Sequence, residues 1–135
     1  MSEATTTRPT GPDIVEISVP ADGAFVSVLR SVTAGLASRC DLTLDEIEDL
    51  RIAVDEACAL LLPHALPGTS IMVRFTLARG SLAIHAAVPA SEGADPDQNS
   101  FAWTVLDALA STVSVAHDGS ELAISLTKLR GDLLQ

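Results

Sequence analysis

The order of apolar patterns along this chain gives an α+β fold class: a two-layer α/β sandwich whose mixed, mainly antiparallel sheet carries three helices on one face. Three observations give it. Two pairs of β-branched runs are each separated by tight-turn residues and read as hairpins. Three segments repeat apolar residues at spacings of three and four and read as amphipathic helices. Their order is strand, helix, helix, strand, strand, loop, helix, strand, strand, so that consecutive strands lie a turn apart. With 135 residues, 47% hydrophobic and 19% charged, there is enough apolar material for one core, and one domain is expected over residues 13–130.

Taken in order, residues 1–12 are rich in Thr, Pro and Gly and cannot bury enough surface to offset their ordering entropy, so a disordered tail is expected there, and a short tail again at 131–135. DIVEISVP alternates Val15, Ile17 and Val19 with Ile14, Glu16 and Ser18, which predicts a strand ending at Pro20. Asp22 can cap a helix with Phe25, Val28, Leu29, Val32 and Leu36 on one stripe to about residue 38. Thr43 and Glu46 have capping-box spacing, and Asp45, Glu46, Glu48 and Asp49 suit the positive end of a helix dipole. The second helix then carries Leu44, Ile47, Leu50, Val54, Cys58 and Leu61 inward, and Pro63 stops it near Leu62. SIMVRFTLA and SLAIHAAV around Arg79–Gly80 predict a hairpin, and PASEGADPDQN predicts a long surface loop. Ser100 can cap a third helix with Phe101, Val105, Leu106 and Leu109 on one side, before a closing hairpin through Asp118–Gly119.

Eighteen acidic against eight basic residues leave a formal charge of −10, which repels phosphates and excludes direct nucleic-acid binding while suiting a basic protein partner. Cys40 and Cys58 lack metal or redox spacing and read as small buried hydrophobes inside helices, with no disulfide. His85 and His117 have no ligand neighbour at metal spacing. No hydrolase motif or Walker loop occurs. The start shows no signal-peptide pattern and no segment reaches membrane-spanning length, so a cytoplasmic protein is expected.

The segment LTLDEIEDLRIAVDEACALLLPHA resembles the second helix of the anti-sigma serine kinases, members of the ATPase superfamily shared with histidine kinases, gyrase and Hsp90. The likeness extends by spacing from about Ile14 to Lys128. It implies a histidine-kinase-like ATPase fold. It also implies roles for particular positions: Glu56 as the general base of a kinase, His64 with Ala65 as the histidine–alanine pair, and Leu60 where the family has a magnesium-ligating asparagine. Ala86 stands near the family's adenine-reading aspartate, and Ser100 and Ala102 stand in the family's glycine-rich phosphate stretch. The resemblance thus implies ATP and magnesium as cofactors, but the residues here replace the metal ligand and the glycines, and the reading from them is no cofactor and a binding protein rather than an enzyme. Beside its role as base, Glu56 also reads as an exposed helix acid, and His64 as a capping or surface residue. The implied partners are an alternative sigma factor and an anti-anti-sigma factor, with a homodimer possible. Arg30, at the position of a partner-contacting arginine, is grouped with Asp45, Glu48 and Asp49 as the candidate interface. The rival reading is an active serine kinase that phosphorylates the anti-anti-sigma factor.

Overall fold

The computed structural model describes residues 11–133; the tail expected over 1–12 falls almost wholly outside them. Five strands, β1 (Asp13–Pro20), β2 (Ser70–Ala78), β3 (Ser81–Pro89), β4 (Thr112–Asp118) and β5 (Glu121–Leu129), form one sheet in the order β1-β2-β3-β5-β4. Every pairing among these strands is antiparallel, so the parallel component expected of a mixed sheet is absent among the described residues. Three helices, α1 (Val26–Ala37), α2 (Leu44–Leu61) and α3 (Phe101–Leu109), form the second layer. Alternation places Leu82, Ile84 and Val88 of β3 and Leu122, Ile124 and Leu126 of β5 in the core beneath them.

The middle helix is the best specified. Thr43 Oγ1 accepts from the Glu46 amide at 3.2 Å while Glu46 Oε1 accepts from the Thr43 amide at 2.8 Å, a reciprocal cap of two otherwise orphaned donors. The second Glu46 oxygen takes the Gly131 amide at 2.7 Å. Desolvation works to raise the Glu46 carboxyl, but these amides outweigh it and hold it below its ordinary range. Gly131–Leu133 is accordingly a 3-10 turn held against α2, where the sequence suggested a tail. At the other end α2 passes into a 3-10 turn, Leu62–His64, at Pro63, as the missing amide requires.

Three stripes sit differently from their sequence expectation. On α1 the buried residues are Leu29, Thr33 and Ala37, while Phe25 (38% exposed) and Val28 (41%) face outward. Thr33 can take a core position because its hydroxyl donates to the Leu29 carbonyl at 2.7 Å, which removes the cost of an unpaired buried polar group. Leu44 and Phe101, each the first residue of its helix, are 84% and 81% exposed. Cys40 lies beyond the end of α1 rather than within it, and is buried all the same.

Lys128 pins the layers together. From β5 its ammonium donates to Asp49 of α2 at 3.1 Å and to the Leu109 carbonyl at the end of α3 at 2.7 Å. It thus neutralises a helix C-terminus and an acid with one charge.

Candidate functional site

α2 lies between α1 and α3 over β3 and β5, so the residues assigned by resemblance are distributed around this one helix. Glu56 is half-buried and has no hydrogen-bond or ion-pair partner among the described residues. One residue before it, Asp55 accepts from Arg30 Nη1 of α1 at 2.8 Å, with the two side chains 35% and 36% exposed. Leu60, one turn after Glu56, is only 6% exposed and belongs to the core cluster, together with Ala57, Leu61, Ala86 and Ala90. A side chain that would have to reach a metal is therefore an apolar group turned into the protein interior.

The remaining positions also serve local structure. Ser100 Oγ accepts from the Trp103 amide at 3.2 Å and caps α3, which engages one of the free amides of that helix N-terminus. Ala102 and Trp103 are partly buried against the core. His64 sits in the 3-10 turn after α2, half-buried, and the Ala65–Ala90 bridge ties this turn to the end of β3. Ala86 faces the helices and is buried. Four surface concavities are lined by other residues: two lie on the helix-free face of the sheet around Arg74 and His85, one at Arg39, Asp41 and Arg79, and one at Pro20–Asp22 and Gly68–Ser70. Glu56, Leu60, His64 and Ser100 line none of these four.

Of the four residues grouped as an interface, two have internal work to do. Arg30 holds Asp55, and Asp49 holds Lys128. Glu48 makes a local pair with Arg51 at 3.2 Å, and Asp45 stays exposed. Sequence reading missed the Arg30–Asp55 and Lys128–Asp49 pairs because their members lie 25 and 79 residues apart, beyond any local spacing rule.

Burial pushes the Cys58 thiol up to about 12 from 9.0, with Asp55 adding to the shift and Arg30 opposing it. The unfolded chain releases this proton near pH 9 while the folded chain keeps it, so stability contributed below pH 9 is lost as pH rises toward 12. Urea midpoints measured between pH 8 and 10.5 should therefore fall for the native chain, and less steeply for Cys58→Ala. The same burial predicts that Cys58 alkylates only at the rate of global opening.

Three helices on one face of an all-antiparallel five-stranded sheet, with the middle helix carrying an acid one turn before its buried end, define a protein of the histidine-kinase-like ATPase fold. No protein-family model matches the chain. It is 32% identical over 114 residues to the anti-sigma-F factor RsbW of Mycobacterium tuberculosis (strain ATCC 25618 / H37Rv), covering 84% of this chain and 68% of that one. It is 49% identical over 53 residues to the serine-protein kinase RsbW of Bacillus subtilis (strain 168), covering 39% of this chain and 33% of the relative. The crystal structure of the RsbU and RsbW domains of Rv1364c from Mycobacterium tuberculosis superposes with a TM-score of 0.68 at 17% identity, covering 87% of this chain and 32% of that one. That likeness concerns the fold. The chain belongs to the RsbW family of anti-sigma factors and serine-protein kinases. Among the described residues, no helix is long and apolar enough to cross a membrane.

Proposed function

We propose that this chain is an anti-sigma factor: it sequesters an alternative sigma factor by direct binding, and an anti-anti-sigma partner releases it. The observation that carries this reading is the burial of Leu60 at 6% exposure, at the position the family resemblance assigns to the metal ligand. A leucine offers magnesium no oxygen, and a side chain packed in the core offers it no room. Ala86 likewise has no carboxylate for an adenine, and Ser100 already spends its hydroxyl on the α3 cap. The residues present therefore do not fit ATP with magnesium, and no step is routed through them. Sequestration needs only a complementary surface of about 800 Å² per partner.

Glu56, without a partner among the described residues, keeps the position of a base, and a serine kinase is the rival reading. Glu56 and the serine-protein kinases among the relatives favour it. On the binding reading, Asp45 and Glu48, exposed on α2, and the Arg30–Asp55 pair between α1 and α2 present charge to the sigma factor. The −10 chain steers a basic partner inward, with an affinity that falls as salt rises.

The test is a titration of the chain against purified alternative sigma factors of its source organism, without nucleotide. A complex at micromolar concentration, weakened at least several-fold between about 50 and 300 mM salt and unchanged by Glu56→Ala, is the expected result. A complex that forms only with ATP and magnesium, or that Glu56→Ala abolishes, would overturn the reading.

A further inference from the structure

The sheet ends in two edge strands, β1 and β4, and only one of them is guarded. β1 carries Asp13, Glu16 and Pro20, and charge or proline in an edge strand discourages further pairing. β4 reads TVSVAHD, and from Thr112 to His117 it holds no proline, carboxylate, lysine or arginine. Its hairpin with β5 closes on Gly119 and Ser120, with Gly119 at φ 57°, so the Asp118–Glu121 pair is the first to exchange hydrogen bonds and alternate pairs follow it. The amides and carbonyls of Val113, Val115 and His117 therefore point away from β5. Among the described residues, no other strand pairs with β4 and no hydrogen bond reaches these outward groups.

From this we infer that the outer edge of β4 takes up an extended segment of another protein, which adds a strand to the sheet. Side chains on the edge set the pattern of that segment. Val113 and Val115 are half-buried against the core, while Thr112, Ser114 and Ala116 are small and exposed. An added strand thus lays alternate apolar residues beside the valines and meets no bulk on its other face. The hairpin end sets its charge. Asp118 stands opposite Glu121, and His117 Nε2 lies 3.2 Å from Asp95 Oδ1. These carboxylates gather at one end of the edge, and none of them is paired with a lysine or arginine among the described residues. A lysine or arginine at the matching end of the incoming segment meets them. A second copy of this chain is a poorer occupant, because β4 contributes no lysine or arginine and brings the same acids again.

The contact is small. Five residues of edge at ~3.4 Å each span ~17 Å, well short of an ordinary stable interface, so a Kd on the order of 10–100 μM is expected. It lies at the sheet edge, apart from the charged residues of α1 and α2, and does not rest on the anti-sigma reading.

The probe is a synthetic peptide with blocked ends, RVTVTV, titrated into the full chain and followed by calorimetry and by amide hydrogen exchange. Saturable binding with a Kd of about 100 μM or lower is the expected result. With it, the amides of Val113, Val115 and His117 should exchange at least tenfold more slowly, while those of β1 keep their rates. The charge-reversed peptide EVTVTV should bind at least fivefold more weakly. Val115→Pro removes one outward amide and spares the ladder with β5, since an edge strand accepts proline where its N–H faces solvent; it should weaken RVTVTV at least tenfold with unchanged circular dichroism. No saturable binding up to about 1 mM overturns the inference, as does binding that leaves the three amides unprotected. Protection of those amides in the chain alone, growing with its concentration, would assign the edge to a second copy and overturn it too. These outcomes are read on the native chain, so poor folding of Val115→Pro does not shelter the idea.

Discussion

Leu60→Asn is expected to lose about 3 kcal/mol of stability and to gain no nucleotide binding. The substitution supplies the residue type that the family resemblance assigns to this position. Leu60 is 6% exposed within the core cluster, so the change removes most of a buried leucine's apolar contribution, about 1.5–3 kcal/mol. It also places a primary amide among apolar neighbours, where an unsatisfied polar group adds a further ~1–3 kcal/mol. Local relaxation returns part of that sum. Urea denaturation should show the midpoint falling by on the order of 2 M. An unchanged midpoint would mean that the position is open to solvent and that the interior is not closed there.

Lys128→Ala is expected to cost about 2 kcal/mol, seen as a fall of roughly 10 °C in Tm. The substitution strands two groups at once: the Asp49 carboxylate and the Leu109 carbonyl, which the ammonium holds at 3.1 and 2.7 Å. The lysine side chain is 14% exposed and the aspartate 36%. The penalty therefore falls below the 3–5 kcal/mol of a fully buried broken pair, because water reaches the acid. Asp49→Asn should cost less than Lys128→Ala, since the ammonium keeps its carbonyl. The reverse order would show that the ion pair alone, and not the closure of α3, is what Lys128 provides.

These two residues also mark what the sequence disclosed. Lys128 in β5 looks like one more alternating strand position, and nothing local announces that it reaches an acid 79 residues away. By contrast, the Thr43–Glu46 capping box, the stop at Pro63 and the Ser100 cap are local chemistry, and each forms where the spacing places it. Leu44 and Phe101 fit their helical periodicities yet stand in solvent at 84% and 81%, because periodicity gives direction around a helix but not whether the core extends to its first turn. Phe25 and Val28 sit differently for a related reason: α1 turns toward the core through Leu29, Thr33 and Ala37, and a threonine with its hydroxyl satisfied internally does not register as apolar. For the candidate site, the resemblance around Glu56 assigned residues to α2. Which acids were already engaged, and that Leu60 faces inward, depended on tertiary packing.

The most direct measurement is isothermal calorimetry of the chain with ATP and magnesium, at nucleotide concentrations to about 1 mM. No saturable heat, in a sample that still forms its sigma-factor complex, is the outcome that agrees with a closed interior at Leu60. A saturable, magnesium-dependent heat with Kd below about 100 μM would contradict it and return Glu56 to the role of a catalytic base.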